Sequence, residues 1–135
     1  LQAAVLLPKL KALRSYEIAA LNASAEKYTQ ALSDVVKTPT VLPGYESSWA
    51  QYTVLLDDGS KRSHLQQWLK SDGVPTMVYY PRGVHQQTAY ADRCWMDEYF
   101  PNTIEATNRI LSLPMHPYLT DEDIQTVVTA LKKAL

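Results

Sequence analysis

Apolar residues recur at close to helical spacing along the first part of the chain. The recurring positions are Leu6, Leu10, Leu13, Ala20, Ala25, Tyr28 and Leu32. A repeat of three or four residues places side chains on one face of a helix, so this pattern predicts one long helix ending near Val36. Pro8 removes one intrahelical hydrogen-bond donor, and we therefore expect the helix to bend or divide near its first turns.

In the middle of the chain the pattern changes to that of strands. Residues 38–44 hold two prolines and a glycine, which predicts a linker that ends the helix. Residues 49–56 are rich in β-branched and aromatic side chains and precede a turn at 57–60, so we expect a strand there. A second strand is predicted over 75–80, where Pro81 stops it.

A short amphipathic helix is predicted between these two strands. Ser60 can cap its N-terminus, and the helix is expected to run through Ser71. Gly73 follows where a left-handed residue commonly ends a helix. The buried face of this helix is expected to carry Leu65, Trp68 and Leu69.

The last third of the chain predicts further helices. Residues 91–99 are interpreted as a short helix, and Asn102 as the cap of a helix that reaches Ile110. Thr120 followed by Asp123 approximates a capping box for the final helix. One face of that helix carries Ile124, Val127, Val128 and Leu131. Helices that alternate with a few strands predict an α+β domain, with a small sheet covered by helices.

Composition and charge narrow the class of protein. A chain of 135 residues with 46% apolar residues can bury one core, so residues 1–135 are expected to form a single small domain. The net charge of -1 comes from mixed acidic and basic residues, which favours neither nucleic acid nor a membrane as a partner. The lone Cys94 cannot form an internal disulfide, and no apolar run is long enough to span a bilayer, so a cytoplasmic location is expected.

Several kinds of reactive site lack their usual sequence pattern. His85 and His116 lie in different loops and His64 lies on a predicted helix, so no spacing indicates a metal site. The four glycines are scattered and form no phosphate-binding loop, and no Gly-X-Ser-X-Gly elbow is present. Cys94 stands beside Trp95 and is interpreted as a small packed residue rather than a nucleophile.

Polar and aromatic side chains near Tyr79 form the most informative cluster. Tyr79 and Tyr80 would point to opposite sides of a strand, so one of them would face outward. The alternative is that both are half-buried aromatics of the sheet. Arg82 can offer a forked donor to a carboxylate or phosphate, although a surface arginine often contacts only solvent. Neutral amides suited to the hydroxyl and amide groups of a sugar are supplied by Gln51, Gln86 and Gln87.

Three segments match motifs of one enzyme family. The first is Trp49-Ala-Gln-Tyr52, which is similar to an aromatic-X-X-Tyr strand. The second is a loop with Tyr80-Pro81, His85, Gln87 and Ala89-Tyr90, and the third is a terminal motif over residues 111–124. Together they resemble the C-terminal part of the pyridoxal-phosphate-dependent sugar aminotransferases of the DegT/DnrJ type. The first segment is similar to the variant seen among enzymes that act on nucleotide-linked 3-keto sugars.

The resemblance implies the C-terminal domain of a type I aminotransferase fold, with a small antiparallel sheet covered by helices and a long N-terminal helix. In the family a His-Tyr pair reaches the active site near cofactor and sugar, and Tyr79 and Tyr80 stand at those positions here. The phenol of Tyr79 can donate a hydrogen bond but cannot carry the charge of an imidazolium. The residues that would contact the substrate are Tyr79, Tyr80, Gln51, Arg82, His85 and Gln87.

Enzymes of this family hold pyridoxal phosphate on a lysine of a large N-terminal domain. None of the eight lysines here matches that motif; they are Lys9, Lys11, Lys27, Lys37, Lys61, Lys70, Lys132 and Lys133. The chain also starts in an uncapped apolar helix pattern, which predicts a piece of a longer protein. We therefore expect a fragment that lacks the cofactor-binding domain, holds no catalytic residue and is inactive alone.

The resemblance implies that the parent enzyme transfers an amino group from an amino acid, with glutamate as the expected donor, to a keto nucleotide sugar. A homodimer is the expected assembly. Two alternatives remain open. One is the small domain of a pyridoxal- or pyridoxamine-phosphate-dependent sugar dehydratase of the same family, which lacks the cofactor lysine. The other is a free-standing, non-catalytic interaction domain that uses the apolar first helix as a dimer surface.

Overall fold

The first helix is long, as its apolar repeat predicts, and it changes its hydrogen-bond pattern part of the way along. The computed structural model describes residues 1–135, apart from the side chain of Ala91. Helix α1 (Gln2–Ala12) contains Pro8 and continues through a π-helical turn (Leu13–Glu17) into α2 (Ile18–Leu32). The helix therefore ends one turn before the predicted Val36.

The sheet consists of two antiparallel strands, β1 (Tyr52–Leu55) and β2 (Ile110–Leu113). Their register pairs Tyr52 with Leu113 and Leu55 with Ile110. Strand β1 lies inside the predicted 49–56 and is shorter than expected. Its outer edge pairs with Lys37, which explains why the chain leaves the helical path after α2.

The predicted strand over 75–80 is wrong, because only one residue of it pairs with the sheet. Met77 bridges Ser112 through two backbone hydrogen bonds of 3.1 and 2.8 Å. In an antiparallel ladder the next hydrogen-bonded pair in this register would be Pro75 opposite Pro114. Neither proline has an N–H group to donate, so pairing stops on that side of the bridge.

The sequence pattern did not reveal β2. It follows α4 (Pro101–Arg109) without an intervening turn, in a segment too short to show periodicity. The predicted cap at Asn102 is also wrong, since α4 starts at Pro101 and the capping position is held by Phe100, which makes no side-chain bond. A proline at the first helical position loses no hydrogen bond and has the φ angle that a helix needs.

Helix α3 (Arg62–Ser71) ends where predicted, and Gly73 follows it with φ +78°. The predicted cap is wrong, because the capping position of α3 is held by Lys61, which makes no side-chain bond. Asp58 instead caps the 3-10 turn before α3, where Ser60 donates its backbone N–H to Asp58 Oδ1 at 2.9 Å. Leu65 and Leu69 are buried, whereas Trp68 is 38% exposed and lies under the Lys133 ammonium group.

Short 3-10 turns stand where a helix over 91–99 was predicted, and they begin before it. They cover Val84–Gln86, Thr88–Arg93 and Asp97–Tyr99, and a further 3-10 turn, Gly59–Lys61, precedes α3. Cys94 lies between two of them in a left-handed conformation with φ 54° and is exposed, so its predicted packing is wrong.

Helix α5 (Asp121–Ala134) confirms its predicted cap and buried face. Asp123 donates its backbone N–H to Thr120 Oγ1 at 3.1 Å, and Thr120 donates its own to Asp123 Oδ2 at 2.9 Å. These bonds from Thr120 hold the pKa of the Asp123 carboxyl below its ordinary value. The buried face carries Ile124, Val127, Val128 and Leu131, and it packs against α2 and α3.

The core lies between the sheet, α2, α3 and α5. Its fully buried side chains are Tyr28, Leu32, Tyr52, Val54, Leu69, Leu111 and Leu131. Helix α1 lies outside this core, and its apolar residues Val5, Leu6, Leu7 and Leu10 are exposed. Among the described residues, no helix has both the length and the apolar character required to cross a bilayer.

Candidate functional site

Two of the predicted site residues, Gln51 and Tyr79, line the same cavity. The cavity has a volume of about 230 Å³ and is partly open to solvent. It lies where the segment before β1 meets the bridge to β2, and its walls include Ala50, Gln51, Met77, Tyr79, Leu113 and Met115. Mostly apolar walls with a few polar groups are typical of sites that bind small molecules.

The polar groups of this cavity differ in their availability. Ser112 is buried, and its hydroxyl already shares a hydrogen bond of 2.8 Å with Thr53. Within the described part of the chain, neither the Gln51 amide nor the Tyr79 hydroxyl has a hydrogen-bond partner. These two side chains are therefore the groups that can bind the polar atoms of a ligand.

Tyr80 contacts Tyr79 and stands outside the cavity. The two rings meet edge to face with their centroids 5.8 Å apart. Tyr79 is 37% exposed and Tyr80 is 68% exposed, and neither lies in a strand. Packing within a sheet therefore does not account for this pair of aromatic residues.

Arg82 and Gln87 lie in the loop that follows the tyrosines. Both side chains are exposed, and neither lines the cavity. The Gln87 amide nitrogen lies 3.5 Å from the carbonyl oxygen of Arg82, which is the long limit for a hydrogen bond. The structure thus places these two residues outside the cavity, on an exposed loop.

His85 differs from the other predicted site residues because it is buried. Its side chain is 5% exposed, and Nε2 lies 3.0 Å from Asp97 Oδ1. Its ring lies 4.5 Å, between centroids, from the ring of Phe100. We call this arrangement of His85, Asp97 and Phe100 the histidine clasp, since it joins the loop after the tyrosines to the start of α4.

Gly83 and Gln86 complete the histidine clasp, and the Gln86 amide, which the sequence offered as a sugar-binding group, is used inside it. Gln86 donates to Asp97 Oδ1 at 2.9 Å and accepts the backbone N–H of Gly83 at 3.0 Å. A Cβ atom on Gly83 would lie 2.7 Å from the His85 ring. The signal in the sequence was a glycine two positions before a histidine in a loop, and alone it indicates no particular structure.

Asn22 on α2 is bonded to the segment before β1. Trp49 Nε1 donates to Asn22 Oδ1 at 2.9 Å, and Asn22 Nδ2 donates to the carbonyls of Ser47 and Ile18 at 3.1 and 2.8 Å. Trp49 has φ 44°, which is unusual for a bulky residue. Asn22 was visible in the sequence as an amide on an otherwise apolar helix face.

An aromatic column supports the same segment from the core. The ring of Tyr52 lies 5.5 Å from that of Trp49 and 5.1 Å from that of Tyr28. The Tyr52 hydroxyl shares a 2.7 Å hydrogen bond with Thr29, and the Tyr28 hydroxyl donates to the carbonyl of Pro114 at 3.1 Å. Burial raises the pKa of both phenols, so they act as neutral hydrogen-bonding groups.

A buried carboxylate, Glu17, lies in the π-helical turn. It accepts hydrogen bonds from Lys9 Nζ at 2.6 Å and from the Tyr118 hydroxyl at 2.5 Å. Both bonds hold the pKa of Glu17 below its ordinary value, and the bond from Lys9 has the larger effect. The bond between Glu17 and Tyr118 also raises the pKa of the Tyr118 phenol. Glu17 therefore joins the first helix to the loop that precedes α5.

The lysines of this chain do not resemble the enclosed lysine to which pyridoxal phosphate is bound. All eight lysine side chains are exposed. Three of them pair with carboxylates: Lys9 with the buried Glu17, Lys27 with the exposed Asp121 and Lys132 with the exposed Asp34. Within the described side chains, no group of three or more His, Cys, Asp or Glu residues could hold a metal ion.

Comparison with known proteins places this fold among aminotransferases. A UDP-2-acetamido-2-deoxy-3-oxo-D-glucuronate aminotransferase from Pseudomonas aeruginosa is 40% identical over 132 residues, which are 97% of this chain and 35% of that protein. The crystal structure of a DegT DnrJ EryC1 StrS aminotransferase from Brucella abortus superposes with a TM-score of 0.86 at 38% identity, covering 98% of this chain and 34% of that one. DesV from S. venezuelae, in complex with a ketimine intermediate, gives a TM-score of 0.88 at 29% identity, covering 98% and 36%.

These likenesses confirm the predicted fold class, an α+β arrangement of the type I aminotransferase fold. The sequence model of the DegT/DnrJ/EryC1/StrS aminotransferase family matches residues 1–132. The chain belongs to this family, as its three motifs suggested. It spans about a third of the length of the relatives that it matches.

Proposed function

We propose that this chain is the C-terminal small domain of a pyridoxal-phosphate-dependent aminotransferase. The parent enzyme would transfer an amino group from an amino acid, with glutamate as the expected donor, to the keto group of a nucleotide sugar. The observation that carries the proposal is the family match over residues 1–132 in a chain a third as long as its relatives. The Pseudomonas relative, whose name specifies a 3-oxo nucleotide sugar, supports the substrate class.

The exposed lysines support a division of labour between two domains. Because all eight lysine side chains of this chain are exposed, the cofactor would be held by a large N-terminal domain outside these residues. That domain would supply the amino-transfer chemistry. Residues 1–135 would then form a single unit whose task is to cover the site and to orient the sugar.

The chemistry of this chain's own residues suits that task. The Gln51 amide can donate to and accept from sugar hydroxyls, and the Tyr79 hydroxyl can do the same across the cavity. The exposed Tyr80 ring and hydroxyl lie beside them and would reach the ligand from outside. Arg82 can pair with the phosphates of a nucleotide sugar, since its guanidinium is exposed on the following loop.

In this proposal His85 has a supporting task rather than a direct contact with the ligand. Its ring is enclosed by the histidine clasp, so it would hold the loop of Arg82 and Gln87 against α4. Gln87 is exposed and free to contact a ligand from that loop.

Assembly and location follow from the same proposal. The exposed apolar face of α1 would pack against the large domain or a second subunit, and a homodimer is the expected assembly. A cytoplasmic location is expected for an enzyme that uses nucleotide sugars, and the single exposed Cys94 is compatible with a reducing compartment.

The proposal is tested by following amino transfer in the intact enzyme and in the 135-residue chain alone. With pyridoxal phosphate, glutamate and a 3-keto nucleotide sugar, we expect the intact enzyme to form the amino sugar and the isolated chain to form none. Loss of water from the sugar without amination would instead identify a dehydratase. Stoichiometric amino transfer by the isolated chain would contradict the proposed division between domains.

A further inference from the structure

We propose that Asn22 is a positioning residue for the sugar side of the site. By holding Trp49 in a left-handed conformation, Asn22 fixes where Gln51 stands at the cavity. This inference rests on the proposed function in one respect only, namely that Gln51 faces the sugar.

The conformation of Trp49 is the first argument. A bulky residue at φ 44° is strained, and such a conformation persists only when its surroundings determine it. Three contacts do so here. The indole N–H donates to Asn22 Oδ1 at 2.9 Å, the backbone N–H donates to Ser47 Oγ at 3.1 Å, and the ring packs against Tyr52.

The amide of Asn22 is the second argument, because every part of it is used. The indole can only donate, so it must face the amide oxygen, while two carbonyls accept from the amide nitrogen. One of these carbonyls belongs to Ser47 and the other to Ile18 on the helix itself. A single side chain on a helix therefore forms hydrogen bonds with both ends of the turn at 47–49.

The third argument is the connection to the cavity. Ala50 and Gln51 follow Trp49 directly and both line the cavity, and β1 then begins at the fully buried Tyr52. The Gln51 amide has no partner of its own among the described residues, so its place is set by its backbone. A shift of Trp49 would be passed to Gln51 through two peptide units, since the next residue, Tyr52, is fully buried and paired with Leu113 in the sheet.

The first arm of the test measures the backbone of this segment. In the intact enzyme, hydrogen–deuterium exchange over residues 47–52 is compared between the wild type, Asn22→Ala and the matched control Gln30→Ala. Gln30 lies on the same helix, and its exposed amide bonds only to Glu26. We expect exchange to accelerate in Asn22→Ala and to stay unchanged in the control. Unchanged exchange in Asn22→Ala would overturn the proposal, whether or not the enzyme is active.

The second arm measures the consequence for the sugar. We expect Asn22→Ala to raise the KM for the nucleotide sugar by roughly 3- to 10-fold, the effect of one lost hydrogen bond. The rate of the half-reaction with the amino-acid donor should stay unchanged. A general loss of stability would lower that rate as well. Trp49→Phe, which keeps an aromatic ring and removes the indole donor, should change the KM in the same direction.

Epistasis with Gln51 gives the sharpest outcome. If Asn22 acts through Gln51, Gln51→Ala should raise the KM similarly, and the Asn22→Ala/Gln51→Ala double variant should be no worse than either single variant. Effects that multiply in the double variant would overturn the inference. If the wild type transfers no amino group to any keto sugar, the proposed function fails together with the assignment of Gln51 to the sugar. The exchange data then still decide whether Asn22 holds the turn.

Discussion

Replacing Gly83 with alanine would insert a methyl group into the histidine clasp. The new Cβ would lie 2.7 and 2.8 Å from two atoms of the His85 ring and 2.8 Å from Thr103 Cγ2. The backbone conformation is compatible with alanine, because Gly83 has φ -63° and ψ 158°, which any residue adopts. The substitution therefore isolates a steric conflict inside the clasp.

The two opposing effects of Gly83→Ala give the expected magnitude. At a compatible backbone position, Gly→Ala stabilises by about 0.4–1 kcal/mol, because the unfolded chain loses freedom. Overpacking a closed site costs about 1–3 kcal/mol. We therefore expect the free energy of unfolding to fall by roughly 1–2 kcal/mol in Gly83→Ala.

Urea unfolding at one fixed protein concentration measures this loss, since the exposed α1 makes association concentration-dependent. His85→Ala removes the ring that the new methyl group meets. In the His85→Ala background, Gly83→Ala should therefore cost at least about 1 kcal/mol less than in the wild type. Gly59→Ala serves as the control, because its Cβ would collide with the backbone carbonyl of Asn108, which His85→Ala cannot relieve. If the losses in the free energy of unfolding caused by Gly83→Ala and His85→Ala add up in the double variant to within about 0.5 kcal/mol, this account of the clasp is refuted.

Further predictions concern association, pH and the exposed tyrosine. Leu6→Glu combined with Leu10→Glu should reduce self-association of the isolated chain in light scattering, whereas equal masses for variant and wild type would show that α1 is not the contact. The pKa of Glu17 is lowered in the folded state, so its carboxylate contributes its full stabilisation at pH values above its ordinary pKa. This stabilisation is lost as the pH falls through the lower, folded-state pKa. Glu17→Gln should flatten the acid dependence of the unfolding midpoint, and an unchanged slope would count against the Lys9 contact. Tyr80→Phe in the intact enzyme should cost about 0.5–1.5 kcal/mol in kcat/KM for the sugar with stability preserved, and unchanged kinetics would remove Tyr80 from the site.

The helices were predictable because their signals are local. Periodicity located the long first helix, Gly73 marked the end of α3, and the bonds between Thr120 and Asp123 confirmed the predicted cap of α5. Strand β2 has four residues and no flanking turn, so no local signal exists. The strand over 75–80 fails on the N-terminal side of Met77 because Pro75 would stand opposite Pro114, which is a matter of register.

The candidate site was predictable only in its residue types. The family motifs singled out Gln51 and Tyr79, and the fold brings them to one cavity. The same motifs could not show that the ring of His85 is enclosed by Asp97 and Phe100. Nor could they show that Asn22 supports the segment of Gln51, because that contact joins residues distant in sequence.

The central claim is that this chain accompanies a cofactor-binding domain and does not hold pyridoxal phosphate itself. Borohydride reduction of the intact enzyme with bound cofactor, followed by peptide mapping, tests it most directly. The account predicts one pyridoxyl-modified lysine, located outside residues 1–135. Modification of any of the eight lysines of this chain at full stoichiometry would contradict the claim. Absence of a modified lysine from the whole enzyme would contradict the aminotransferase assignment and favour the dehydratase.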